Sequence, residues 1–131
     1  MKFTEHRDSN VYVVKHYEPG EVKINDRRLQ KSCFLNQKTL VENWPCAHID
    51  ALTTDHLDAL LALKPEVILL GTGETQVFPA PQLFAYCSAK GVGLEVMHNL
   101  AACRTYNVLT TEDREVVLAL IMDADGASAA S

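Results

Sequence analysis

Apolar residues change their spacing halfway along the chain. In the first half they form short β-branched or aromatic runs: VYVVKHYE (11–18), EVKI (21–24) and SCFL (32–35), with LVENW (40–44) a weaker run of the same kind. Pro19-Gly20 and Asn25-Asp26 are turn pairs, so this half reads as an antiparallel meander. In the second half, TTDHLDALLALK (53–64) places leucines at 57, 60, 61 and 63, the spacing of one helical face. Thr54 or Asp55 is positioned to cap that helix, and Pro65 drives Lys64 out of helical geometry. EVILL (66–70) is apolar throughout, as a strand covered on both faces would be. PQLFAYCSAK (81–90) opens on a proline suited to a first helical turn and stops at Gly91. GLEVM (93–97) predicts another strand, and Asn99 is placed to cap a helix through LAACRTYNVL. REVVLALIM (114–122) is rich in β-branched residues and predicts a last strand.

Strand, helix, strand, helix, strand with short connections implies parallel pairing through right-handed crossovers. The meander must pack on or beside that sheet. The expected class is therefore α/β to α+β with a mixed sheet.

Composition narrows the picture. A chain of 131 residues predicts a single globular domain, here 1–122, and the small polar stretch DADGASAAS (123–131) predicts a disordered tail. Apolar residues at 47% exclude a chain that is disordered throughout. The formal charge of −5 argues against a general nucleic-acid binder. Lys23, Arg27, Arg28 and Lys31 form a basic cluster, but Asp26 breaks it and no aromatics interleave, so it reads as a solvated hairpin surface. MKFTEHRDSN has no apolar run, and no stretch reaches the roughly 20 apolar residues a membrane-spanning helix needs. Cys33, Cys46, Cys87 and Cys103 form no CxxC pair, so reduced thiols in the cytoplasm are expected.

Candidate chemistry concentrates in two stretches. The first is LLGTGETQVFPAPQ (69–82). A dinucleotide loop needs a third glycine where Gln76 stands, and a Walker A loop needs Gly-Lys-Ser/Thr, which occurs nowhere. Glu74 adds negative charge where a phosphate wants donors alone. The nucleotide reading fails, leaving Gly71 and Gly73 as a strand-ending corner that permits positive φ or close backbone approach. Position adds a functional reading, because ligands of open α/β sheets bind beyond the carboxyl ends of parallel strands. Thr72, Glu74 and Gln76 would then face Asn99, Arg104 and Asn107 across one crevice.

The second stretch is LEVMHNLAACRTYNVL (94–109). Arg104 stands beside an apolar stripe, and Glu74 is its expected partner. Cys103 near a helix start, with His98 close by, suggests a Cys–His nucleophile, but Ala101-Ala102-Cys103 reads more simply as small core packing. Cys46 and His48 lack a second ligand pair, so no metal site is expected. No cofactor motif is present. His56 lies on a helix whose leucines already define the core, and exposure explains it. No Ser–His–Asp set or nucleophile elbow can be assembled around Ser32 or Ser88.

PEVILLGTGE followed by GVGLEVMHNLAACRTYNVLTTEDR resembles a domain family of unknown function that includes mitochondrial NADH dehydrogenase (complex I) assembly factor three and an adipogenesis-associated domain protein. KIND, Ser32, Trp44-Pro45 and ALTTDHL fall where that family has similar residues, so the likeness covers nearly the whole chain. The resemblance implies a three-layer β/β/α fold, a mixed central sheet with a smaller antiparallel sheet packed on it. It supplies no catalytic residue to transfer. Asn99 stands where relatives often carry threonine, and Asp113 where glycine is common before the arginine matched by Arg114. Two functions follow as expectations. One is a binding or assembly module engaging a protein partner or a second copy of itself. The other is a small-molecule or enzyme site in the crevice, with Glu74 as acid/base and Arg104 as anion clamp. The candidate cleft is Gly71, Thr72, Gly73, Glu74, Gln76, Asn99, Cys103, Arg104 and Asn107.

Overall fold

The computed structural model describes residues 11–122; the tail expected at 123–131 lies outside them. The meander begins with β1 (Val14–Glu18), β2 (Glu21–Ile24) and β3 (Arg27–Leu29), which form a three-stranded antiparallel sheet in that order. Asn25 turns the β2–β3 hairpin at φ 52°, a left-handed conformation asparagine tolerates. Its side-chain amide also holds the segment that leads into β1, accepting from Val13 N and donating to Val11 O. RRL (27–29) was not among the expected strands, yet it forms β3, with Leu29 buried and Arg27 and Arg28 facing solvent. The hairpin expected to carry a basic surface is thus a full strand pair.

The chain then enters a second sheet with β4 (Cys33–Leu35) and β5 (Leu40–Val41), shorter than the runs suggested. A 3-10 turn, Ile49–Ala51, leads to α1 (Thr54–Leu61). Thr53, one residue before the expected caps, precedes that helix, and its N–H donates to His56 Nδ1. Lys64 leaves the helical region as Pro65 requires, at φ 55°. There follow β6 (Val67–Gly71), α2 (Pro81–Ser88), β7 (Gly93–Met97), α3 (Asn99–Thr111) and β8 (Val116–Leu120). The five-stranded order is β5-β4-β8-β6-β7, with β6 parallel to β7 and β8, and β4 antiparallel to β5 and β8.

Central strands read as unbroken apolar runs because both faces are covered. All five residues of β6 and of β8 are buried. Val67, Leu69, Val116, Leu118 and Leu120 meet the small sheet and α3 through Val22, Ile24, Ala102 and Tyr106. Ile68, Leu70, Val117, Ala119 and Ile121 meet α1 and α2 through Leu57, Leu60 and Cys87. The fold is α+β: a three-stranded antiparallel sheet and α3 on one face of a mixed sheet, two helices on the other.

Candidate functional site

The parallel strands β6 and β7 end together, Gly71 opposite Met97, and α3 begins two residues after Met97. The helix start is pressed against the end of β6. A methyl group on Gly71 would lie 2.2 Å from Asn99 Oδ1 and 3.2 Å from Asn99 Cα, so glycine is required there by space. Gly73 is required by conformation instead: it has φ 104°, and a methyl group there would meet nothing within 4 Å.

Asn99 is the hub. Its backbone N–H donates to Gly73 O at 2.8 Å, and its Oδ1 accepts from Gly73 N at 3.1 Å. Its Nδ2 donates to Ile121 O at 3.1 Å and to Tyr17 OH at 3.0 Å. One amide therefore joins the glycine corner, the end of β8 and the small sheet. Asn99 was expected to cap the helix from outside. The cap is His98, whose Nδ1 accepts from Ala101 N, while Asn99 is the first helical residue and is buried.

Tyr17 is the residue that sequence reasoning missed. Its hydroxyl accepts from Asn99 and donates to Glu74 Oε2 at 2.5 Å. Burial pushes its pKa above the usual phenol range, and the hydrogen bond to the Glu74 carboxylate adds to the shift. No local pattern marks it, because its partners lie 57 and 82 positions away.

The remaining predicted residues divide by partner. Thr72 is buried and shapes the corner, its Oγ1 donating to Thr75 O at 2.7 Å and accepting from Val77 N at 3.0 Å. Gln76 reaches β7, donating to Val96 O at 2.9 Å. Asn107 binds β1 on both sides, accepting from Val14 N and donating to Val14 O. Glu74 is exposed and is held by Tyr17, while Arg104 is exposed and makes no ion pair among the described residues, so the expected Glu74–Arg104 pair is replaced by Tyr17–Glu74. Cys103 faces the core, and burial pushes its thiol up to about 12, the opposite of what a nucleophile needs. Leu100, Arg104 and Val108, spaced four apart, are all exposed on the outer face of α3.

Elsewhere, His56 does more than face solvent. With Nδ1 accepting from Thr53, Nε2 donates to Pro45 O at 2.7 Å, and the ring stands edge-on to Trp44 at 6.0 Å between centroids. No group of three potential metal ligands forms among the described residues. Nor, among them, is any helix long and apolar enough to cross a membrane.

Comparison with known proteins places this geometry in context. Residues 14–121 match a family model described as a protein of unknown function, DUF498/DUF598. An NMR structure of a Xanthomonas campestris protein is 47% identical, with TM-score 0.80 and 86% of each chain covered. The "13 kDa major membrane protein" of Francisella tularensis is 38% identical over 108 residues, 82% of this chain and 88% of that one. The NADH dehydrogenase [ubiquinone] 1 alpha subcomplex assembly factor 3 of Xenopus tropicalis is 27% identical over 118 residues. The match takes in 88% of this chain but 64% of that protein's length.

Proposed function

The chain belongs to the DUF498/DUF598 family of proteins of unknown function, and from that premise we propose that it is a binding or assembly module for a protein partner. The observation that carries this reading is the outer face of α3, where Leu100, Arg104 and Val108 are exposed together at one-turn spacing. A helix presenting apolar, cationic and apolar side chains in line offers what a partner surface uses: contact area and a charge for register. The corner beneath it is spent on structure, since Asn99 and Thr72 have their polar atoms engaged. Relatives named as complex I assembly factors lend the reading support by analogy. Its proposed setting is the cytoplasm, where four free, buried thiols persist reduced.

The test is a stoichiometric pull-down from native lysate at physiological salt, comparing wild type with a folded Leu100→Ser, Arg104→Glu, Val108→Ser variant. A protein held by the wild type and released by the variant is the expected result. Equal recovery from both would refute the α3 surface. A second reading, a small-molecule or enzyme site, rests on Glu74: an exposed carboxylate hydrogen-bonded to a half-buried phenol can exchange a proton with a bound molecule. Thermal stabilisation by a metabolite, lost in Glu74→Gln and kept in the α3 variant, would select that reading instead.

A further inference from the structure

β7 is the outermost strand of the five-stranded sheet, so one of its sides meets no other strand. Backbone groups along a strand turn alternately to one side and the other. Gly93 N donates to Glu66 O and Met97 O accepts from Thr72 N, which turns residues 93, 95 and 97 toward β6. Leu94 and Val96 therefore direct their N–H and C=O groups away from the sheet. Gln76 marks that side: its Nε2 donates to Val96 O at 2.9 Å, where an added strand would place a backbone N–H. Val96 is 8% exposed, its side chain in the core and its carbonyl under Gln76, while Leu94 is half-buried. Gln76 is itself exposed and can trade this bond for one to water, so the cover lifts at little cost.

Two further features belong to the same edge. Val77 and Phe78 follow Gln76 directly and are 39% and 66% exposed. Apart from Leu100 and Val108 on α3, they are the exposed large hydrophobics of the described residues. Glu95, between the two outward-turned residues, is exposed and has no ion-pair partner among the described residues. That charge disfavours a second copy as the occupant. Antiparallel pairing through Leu94 and Val96 would set Glu95 opposite its own counterpart, a destabilising like-charge pair. It favours a segment that carries a cation at that position.

We propose that the open edge of β7 takes an extended segment of a protein partner as an added strand, a lysine or arginine of that segment opposite Glu95 and its apolar side chains against Val77 and Phe78. The edge selects an extended chain, because only alternating N–H and C=O groups answer those of Leu94 and Val96. This surface is separate from the outer face of α3 and stands or falls apart from it.

The probe is a blocked peptide of alternating threonine and valine with one central lysine, kept monomeric and titrated into the isotope-labelled full chain. The Leu94 and Val96 amides should shift saturably and exchange more slowly, while those of Arg104 and Val108 stay in place. N-methylation of both residues flanking the lysine, whose N–H groups face β7, should abolish binding. N-methylation of the lysine, whose N–H faces away, should leave it. Glutamate in place of the lysine should weaken binding about two- to fivefold, as for an exposed ion pair, and Glu95→Lys should invert that preference. Gln76→Ala should tighten binding by up to about tenfold, the worth of a hydrogen bond no longer contested. Phe78→Ser, at an exposed position, should weaken it by up to about tenfold. Overturning results would be no saturable shift at Leu94 and Val96, equal binding of the flank-methylated peptide, or an unchanged lysine preference in Glu95→Lys. A concentration-dependent dimer that protects both amides without peptide would overturn the proposal in favour of a second copy.

Discussion

Gly71 and Gly73 stand two residues apart and meet different needs, which makes them separable by substitution. Alanine at 71 drives a methyl group into Asn99, side chain and backbone together. It should cost about 1–3 kcal/mol, the usual range for overpacking, read as a lower urea midpoint. Alanine at 73 meets no atom but must hold φ 104°, so its cost is backbone strain, again about 1–3 kcal/mol. A double substitution should not be additive, because once Asn99 is displaced the corner that imposes that φ is loosened. Asp113 tests the same principle in reverse. It holds φ 63° just past the end of α3, a left-handed conformation that glycine adopts without steric cost. Asp113→Gly should raise stability by up to about 1 kcal/mol, since the left-handed penalty exceeds the entropy glycine forfeits. The glycine corner was legible from the two glycines and the apolar run before them. The hub was not: a single asparagine before an apolar run looks like a cap, and only the packed structure reveals that His98 has taken that role.

Among elements, α3 carries the most information, because its faces have distinct partners. Ala102, Cys103 and Tyr106 fill the core, and Tyr106 also donates to Tyr12 O at 2.9 Å. Asn107 clasps Val14 through both its amide groups, so it ties the small sheet to the helix. Asn107→Leu should therefore cost about 2–3 kcal/mol by stranding two backbone groups, and amide exchange should rise across β1 and β2 before the central sheet. Val108→Ser, one residue on, should stay within about 0.5 kcal/mol of wild type. A comparable loss of stability in both variants would mean that the outer face is packed after all. The helical spacing of α3 was readable, as were β6, β7 and α2, because each is a run with one dominant period. The third strand was not, since its three residues are too few to express a period and two are arginines. Tyr17 was equally hidden, because strand alternation says that it points inward but not what it meets.

At the scale of the whole molecule, buried acids that ionise only above neutrality set the alkaline limit. Burial holds Cys33 and Cys103 up to about 12 and Cys46 up to about 11, against an ordinary value of 9.0. Above that ordinary value the unfolded chain has already lost these protons while the folded chain retains them, so stability must fall as pH rises. Tyr17 and Tyr106, shifted the same way, add to the loss once the pH passes the ordinary tyrosine value of 10.0. Unfolding free energies from urea titrations should be insensitive to these groups below about pH 8 and drop by pH 10, by roughly 1 kcal/mol per buried thiol. A flat profile from pH 8 to 10 would show the thiols to be accessible, as would fast alkylation of Cys103 at neutral pH. The class of fold followed from the change in apolar period along the chain. Which strand lies at the centre did not, because sequence order is not spatial order: β8 comes last and is inserted between β4 and β6.

That insertion has a consequence for synthesis. Until residues 116–120 are made, the β4–β5 pair and the β6–β7 pair share no sheet, and each presents a bare edge to whatever is near. The nascent chain must carry both unfinished halves past the ribosome and then close them with a single strand, the one that also brings Ile121 O to Asn99. Ribosome-bound chains halted at residue 113 should thus be protease-sensitive and held by chaperones. Release of a chain that includes β8 should convert both halves to a resistant core in one step.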